Sequence, residues 1–380
     1  MKIVFLSNFF NHHQAPISEE LWEQTRGEYF FVETEGMPQE RIDLGYRREE
    51  KPYLLCLAEE RRRVLRLIRE ADVVIAGSAP EWLVQSRIKT GKLLFRYAER
   101  PLRNGSEPLK VIPRWIRWHW RNPKDMPVYL LCASAYTAGD YGKFGLFRKK
   151  SYKWGYFPAF REQNAPKLFS EKNTKEILWV GRFLELKHPE QALQAARKLK
   201  QERYDFCMHF IGTGVQEPSL KKMVKEWDLN DRVRFGGARS PEQVRSAMEK
   251  AGIFLFTSDR QEGWGAVVNE AMNSGCAIVA SHAAGAVPFL LENGENGMIY
   301  ESGNVEQMCE NLRYLLEKPE EQQRLGAAAY ERIRECWNPN AAAQRLIRLS
   351  EVLLSGESAA ECFREGPCSR AEEMDERWFL

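Results

Sequence analysis

An α/β protein of two doubly wound, parallel-sheet domains is what this sequence predicts. Short apolar runs alternate with helical patterns in both halves of the chain, the signature of a parallel sheet covered on both faces. A Pro-containing polar stretch near 158–173 separates the two series. At 380 residues the chain exceeds what one core ordinarily holds, and two domains of roughly 150–200 residues are the natural division. The expected domains are 1–160 and 161–337, followed by 338–380, a helix returning to the first domain plus a tail.

In the first domain, strands are expected over 2–6, 29–33, 72–76, 93–97 and 129–133, with helices over 17–25, 58–70, 80–90 and 136–144. The second has strands over 176–180, 206–211, 233–235, 253–256, 277–280 and 297–300. Between them run helices over 188–201, 217–227, 241–250, 266–274, 287–293 and 305–317. Helical patterns continue over 319–336 and 339–355, and the break at Trp337-Asn-Pro339 redirects the chain. The tail from Gly356 is polar and ends in Trp378-Phe379-Leu380; it is either partly disordered or docked by its aromatic end. No internal sequence repeat is present.

The apolar content of 43% with 29% charge is that of a soluble globular protein. No apolar run approaches the roughly 20 residues that span a bilayer. The start, 1–7, is too short for a signal-peptide core and reads as a first strand. Eight cysteines without a Cys-x-x-Cys pair read as structural thiols of a cytoplasmic protein. The net charge of +3 hides an asymmetry: residues 1–160 hold 27 Lys and Arg against 19 Asp and Glu, the remainder 29 against 34. The first half is therefore suited to an anionic membrane face, a phosphate-bearing acceptor or nucleic acid. No zinc-finger or RNA-binding motif supports the last.

In open α/β sheets ligands bind beyond the strands' C-terminal ends. The most informative motif lies there: Glu262-Gly-Trp-Gly-Ala-Val-Val-Asn-Glu270, between a buried strand and a helix. Gly263 and Gly265 clear side chains from a helix N-terminus that can meet sugar or phosphate, and Glu270 falls about one turn into the helix, within reach of ribose hydroxyls. A capping loop with an exposed helix glutamate is the plainer alternative. Val180-Gly-Arg182-Phe-Leu-Glu-Leu-Lys187 follows the domain's first strand. Gly181 permits a tight turn, Arg182 can bind phosphate oxygens bidentately, and Lys187 adds a point charge. Two solvated loop cations would look the same. Gly212 in Ile211-Gly-Thr-Gly214, and Gly237 and Arg239 in Gly236-Gly-Ala-Arg239, close two further strands as phosphate- or base-contacting backbone, or as simple turns.

Taken as an ordered set, these motifs resemble the donor domain of glycosyltransferase family 4. The resemblance is close over about 174–319 and loose over the first half. It implies the GT-B fold, two Rossmann-like domains facing across a cleft, and a retaining transferase that uses a nucleotide-diphosphate sugar. It implies that Arg182 and Lys187 hold the diphosphate and Glu270 the ribose. Glu262, with the backbone of Gly263, Trp264, Gly265, Ala266 and Val267, would hold the donor sugar and distal phosphate, and Trp264 would line the sugar site. Neither metal nor cofactor is implied, and no Asp-x-Asp motif is present. The acceptor would be a saccharide or lipid-linked saccharide in cell-surface polysaccharide synthesis. The alternatives are a GT-B nucleotide-sugar epimerase or hydrolase, and a non-catalytic sugar-nucleotide binder.

Two departures stand out. Relatives carry Gly-Gly-x-Pro-Glu after the next strand, but here Ala283-Ala-Gly-Ala-Val-Pro-Phe289 lacks the glutamate. Relatives also carry a histidine after a first-domain strand, where this chain has Phe95-Arg-Tyr-Ala-Glu99-Arg100. Glu99 or Arg100 takes that place or forms an internal salt bridge. In the loop after the first strand Asn11 and His12 are the candidates to face the acceptor; His12 and His13 cannot both do so if the segment is extended. Finally, 109–121 is basic and Trp-rich. Arg114, Arg117 and Arg121 share a helical face, and Trp115 lies beside Trp118. Such a helix suits peripheral contact with an anionic membrane, unless its tryptophans are core.

Overall fold

The computed structural model describes residues 1–36, 50–105, 111–359 and 362–379. The chain forms two compact units, Met1–Ala159 with Asn338–Asp375, and Phe160–Trp337 with Glu376–Leu380.

The first unit is built on a seven-stranded, all-parallel sheet. In chain order its strands are β1 (Ile3–Ser7), β2 (Tyr29–Glu33), β3 (Leu54–Cys56), β4 (Val73–Ala76), β5 (Leu94–Ala98), β6 (Val128–Cys132) and β7 (Ser151–Lys153), and their spatial order is 3-2-1-4-5-6-7. Strand β1 is an interior strand and wholly buried, pairing Ile3 with both Tyr29 and Val73. The helices are α1 (Ala15–Gln24), α2 (Arg61–Glu70), α3 (Glu81–Ile88), α4 (Val111–Arg121) and α5 (Thr137–Gly142). Arg87 on α3 is fully buried, its guanidinium donating to the carbonyls of Ile68, Ala71, Asp72 and Leu93. These bonds fasten the ends of α2, β4 and β5 together.

The second unit carries α6 (Ala165–Ser170) and a six-stranded parallel sheet. The strands are β8 (Asn173–Val180), β9 (Cys207–Ile211), β10 (Val233–Phe235), β11 (Ala251–Phe256), β12 (Ala277–Ser281) and β13 (Met298–Tyr300), in spatial order 10-9-8-11-12-13. The helices are α7 (Pro189–Gln201), α8 (Glu217–Glu226), α9 (Pro241–Lys250), α10 (Ala266–Asn273), α11 (Val287–Leu290), α12 (Val305–Glu317) and α13 (Pro319–Glu335). Strand β11 is buried at every position, as a continuous apolar run between two parallel neighbours requires. Its Ile253 and Leu255 join Ile177, Leu193, Phe210, Val279 and Leu312 in one core. Helix α9 starts on a capping box, Ser240 and Gln243 bonding reciprocally, with Pro241 at the first helical position.

Helix α14 (Pro339–Ser355) starts on an Asn338 cap and packs on α1 in the first unit, with Gln24 donating to the Asn340 carbonyl. The tail then pairs with the β7 edge: Cys368 and Lys153 are joined by a 2.7 Å bond, and Ala371 donates to the Ser151 carbonyl. Its last described residues, Glu376–Phe379, form a 3-10 turn within the second unit, with Phe379 stacked on His282 at 5.6 Å. Docking of the aromatic end is thus the arrangement found.

Several expectations need correction. Strands β3 and β7 and helix α6 are additions to the expected elements, each only three to six residues long. The helix expected over 58–70 begins at Arg61, and that over 287–293 ends at Leu290, where Leu291 turns extended. In α4 the two tryptophans part company. Trp118 is buried against Tyr141 and Phe144, whereas Trp115 remains exposed. The three arginines also differ: Arg114 lies over the Trp118 ring, Arg121 pairs with Glu81, and Arg117 is exposed.

Candidate functional site

Order 3-2-1-4-5-6 in the second unit places its topological switch between the first and fourth strands, β8 and β11. Loops leaving adjacent strands there diverge to opposite faces and open a crevice at the strands' C-terminal ends. The β8 loop brings Gly181, Arg182 and Lys187; the β11 loop brings Glu262 to Gly265.

The two loops are laced together. The Thr257 hydroxyl accepts from Trp179 Nε1 and donates to the Lys187 carbonyl, while Asp259 N–H donates to the Leu186 carbonyl. The His188 imidazole lies between Asp259 (3.1 Å) and Glu190 (2.9 Å). Those hydrogen bonds, first to Asp259 and then to Glu190, outweigh burial and lift the His188 pKa to about 9. The folded pKa exceeds the ordinary 6.5, so this stabilisation is complete below that pH and is lost as pH rises through about 9. The melting-temperature gap between wild type and His188→Gln is therefore expected to narrow across that window. A constant gap contradicts this role.

Across the crevice the Lys187 ammonium forms a largely buried ion pair with the Glu262 carboxylate and lies 5.9 Å from the Phe256 ring centroid. The Arg182 guanidinium, by contrast, is exposed and makes no hydrogen bond or ion pair among the described residues. One expected cation is thus held by a carboxylate and the other is open to a ligand.

The backbone approaches closely at two glycines. Gly212, at φ 141°, donates to the Gly237 carbonyl at 2.9 Å, and a Cβ there would meet the Gly181 carbonyl oxygen at 1.9 Å. Only glycine lets the β8, β9 and β10 loops meet this tightly. Gly265, at φ 95°, caps α10 in the left-handed region, and its Cβ would strike the Phe256 ring at 2.6 Å. The first helical N–H groups beyond it, of Ala266 and Val267, have no intrahelical acceptor to satisfy. Arg239 is exposed and lines a cavity of ≈ 310 Å³ with Glu176, His209 and Arg234.

Glu270, in the second turn of α10, is the unusual group. Its carboxylate makes no hydrogen bond among the described residues, yet its oxygens are not sealed from solvent. Withdrawal from water raises its pKa, opposed by the charges of Arg245 and Arg161. Asn273 Oδ1 accepts from the Arg245 guanidinium and from the main-chain N–H of Arg161, while the Arg161 guanidinium pairs with Glu249 at 3.8 Å. The cations are close enough to bias Glu270 but are bonded elsewhere, leaving its oxygens as open acceptors.

The Trp264 indole does not line a sugar site. It is 1% exposed, donates to Asn269 Oδ1 and packs with Phe289 and Trp337, so only its backbone faces the loop. The Ala283–Phe289 stretch is likewise mostly buried and apolar, and Ala286 N–H donates to the Trp264 carbonyl. The stretch itself holds no carboxylate side chain.

In the first unit the switch lies between β1 and β4. The β1 loop is not extended. Asn11 closes a turn through its carbonyl, bonded by Gln14 N–H at 2.9 Å, and its side chain accepts from His13 N–H. The turn brings the His12 and His13 rings within 3.8 Å, so both lie on one side, His12 the more exposed. After β5, Arg100 takes the internal-salt-bridge alternative with buried Asp140. Glu99 pairs with Arg103 and accepts from Tyr156 Oη at 2.7 Å. Tyr156, which sequence reasoning missed, sits 6.0 Å from His13 and 6.2 Å from Tyr97. Its position after the short β7 carried no motif to reveal it.

Among the described residues no cluster of three His, Cys, Asp or Glu is placed to hold a metal ion, and none of the eight cysteines is in a disulfide.

Residues 160–332, most of the second unit, match the family model of glycosyl transferases group 1. An uncharacterized glycosyltransferase of Haemophilus influenzae is 33% identical over 146 residues, 38% of this chain and 40% of that protein. The amylovoran biosynthesis glycosyltransferase AmsK of Erwinia amylovora is 29% identical over 182 residues, 47% of this chain and 44% of that protein. These matches span less than half the length of either relative. Among solved structures, Anabaena Alr3699/HepE in complex with UDP superposes with a TM-score of 0.69 at 15% identity, covering 93% of this chain and 100% of that one. The lipopolysaccharide outer core galactosyltransferase WaaB superposes with a TM-score of 0.66 at 17% identity, over 92% and 98%. The fold is GT-B. Both Rossmann-like sheets described above are those of that fold.

Proposed function

We propose that this protein is a retaining glycosyltransferase. It moves a sugar from a nucleotide-diphosphate donor to a saccharide or lipid-linked saccharide acceptor in cell-surface polysaccharide synthesis. The observation that carries the reading is the pairing, at one switch point, of a cation-bearing β8 loop with a half-buried carboxylate on α10 that makes no hydrogen bond among the described residues. A group that desolvates a carboxylate and leaves its acceptors empty is costly unless a ligand completes it. The group 1 family model and the biosynthetic names of the relatives support the same reading.

In this reading Glu270 accepts the ribose hydroxyls, and the backbone around Gly212 and Gly237 lies along the nucleotide. Arg182 and Lys187 face the diphosphate. Glu262 and the N–H groups of Gly263 to Val267 hold the sugar and distal phosphate. The acceptor oxygen attacks the anomeric carbon from the face the diphosphate leaves. The carbon–oxygen bond to the diphosphate breaks with its electron pair passing to the phosphate oxygen, which takes the acceptor's proton. Negative charge grows on the diphosphate as this happens, and preorganised cations at that point lower the barrier. The two cations meet the electrostatic need without a metal. Asn11, His12 and Glu99 remain the first-unit candidates for acceptor contact.

A panel of UDP- and GDP-sugars tested for diphosphate release with and without saccharide and lipid-linked acceptors examines the reaction. Release that requires an acceptor, with product of unchanged anomeric configuration, is expected. Acceptor-independent release or isomerisation would instead identify a hydrolase or epimerase, and binding without turnover a sugar-nucleotide binder.

A further inference from the structure

Helix α4 of the first unit shows water a face that soluble proteins seldom leave bare. Ile112, Ile116 and Trp120, spaced four apart and so aligned on one side, are 71%, 57% and 66% exposed, and Trp115 beside them is 48% exposed. The helix is not loose: Trp118, on the opposite side, is buried with its ring 4.8 Å from those of Tyr141 and Phe144. Gln85 on α3 and the Arg96 guanidinium both donate to the Arg121 carbonyl at its last residue.

Just beyond that last residue lies a cavity of ≈ 210 Å³ whose lining includes Asn122, Lys124, Arg148 and Lys150. Lys150 donates to the carbonyls of Lys124 (2.6 Å) and Met126 (2.9 Å), fastening the segment after α4 to the loop before β7. In that loop Phe147 and Lys149 both adopt left-handed backbone, at φ 55° and 58°, with Arg148 exposed between them. The Lys124 and Arg148 side chains make no hydrogen bond or ion pair among the described residues. Among the described residues nearby, Glu81 is engaged by Arg96 and Arg121, and Asp125 acts on Lys150. Arg117 adds another exposed cation along the helix.

We infer that this surface docks the protein on an anionic phospholipid bilayer, with α4 lying in the interface and the Lys124–Arg148–Lys150 cavity taking a lipid phosphate. An apolar helix face with tryptophans at headgroup depth and cations at its margin is what an anionic interface selects. The basic excess of residues 1–160 gives the long-range attraction of matching sign. Among the described residues no helix is long and apolar enough to cross a membrane, so the contact proposed is peripheral. It stands on first-unit residues alone and does not depend on the donor site.

The test is flotation of the full chain with phosphatidylcholine vesicles, with and without phosphatidylglycerol, at low and high salt. Wild type should float with the anionic vesicles, less at high salt, and not with the neutral ones. Lys124→Gln with Arg148→Gln should weaken partitioning about thirtyfold, from roughly 1 kcal/mol per cation. Ile116→Ser with Trp120→Ser should abolish it. All four side chains are exposed, so an unchanged thermal melt will show that the variants fold. Tryptophan emission should shift to the blue on anionic vesicles in wild type and not in Trp115→Ser with Trp120→Ser. Absence of wild-type flotation at low salt, equal flotation with neutral vesicles, or variants that float like wild type would each overturn the inference.

Discussion

Lys187→Ala lowers the turnover number for sugar transfer by about 10²–10³, the loss typical of removing one preorganised group from a developing negative charge. The effect falls on kcat more than on the donor KM, because the diphosphate bears most charge as its bond to the sugar breaks. Lys187 is suited to that role by its surroundings. Its carbonyl is pinned by Thr257, and its ammonium is held over the crevice by Glu262. Removing it also leaves Glu262 without its partner, so some loss of stability accompanies the kinetic effect. Lys187→Arg keeps the charge but not the compact ammonium, and only part of the rate returns. Steady-state kinetics on the three proteins decides the matter. A purely structural lysine would alter the melting temperature while leaving the kcat of the surviving folded enzyme unchanged.

Glu270→Ala weakens nucleotide binding by about 10- to 150-fold, the equivalent of roughly 1.5–3 kcal/mol for hydrogen bonds to a charged acceptor. The same position predicts an opposite effect on the empty protein. Burial raises the Glu270 pKa above its ordinary 4.5, so the folded state pays for the ionised form at neutral pH and is relieved as pH falls towards 4.5. Glu270→Gln, nearly isosteric and uncharged, is therefore expected to melt higher than wild type at neutral pH while binding nucleotide less well. Calorimetric titration and a thermal melt read the two signs separately. A glutamate that serves only to hold the fold would lose stability when neutralised.

Much of this arrangement is legible in the sequence. The run Ile253–Phe256 announces a buried strand, Gly263 and Gly265 a loop stripped of side chains, and Ala266 to Ser274 a helix; the structure has β11, that loop and α10 in those places. Alternation of period and the β8-to-β13 motif order were enough for the doubly wound class. What escaped depends on neighbours distant in sequence. Strand β7, Ser-Tyr-Lys, has no apolar run because it lies at a sheet edge, where half its backbone is satisfied by the returning tail. The Trp264 ring turns inward because Phe289 and Trp337 leave it an apolar slot, which no local periodicity records. His12 and His13 share a side because Asn11 turns the chain, where an extended segment would have separated them. Glu270's isolation is likewise invisible locally, since the Arg245 guanidinium is engaged by Asn273 and that of Arg161 by Glu249.

The central claim is that a nucleotide-diphosphate sugar binds at the β8–β11 switch, with Arg182 on its phosphates and Glu270 on its ribose. Isothermal titration of UDP, UDP-sugars and GDP-sugars into wild type, Arg182→Ala and Glu270→Ala measures it directly. The account predicts that at least one nucleotide binds wild type and binds each variant at least tenfold more weakly, with both variants fully folded. Binding of equal strength to wild type and both variants would contradict it.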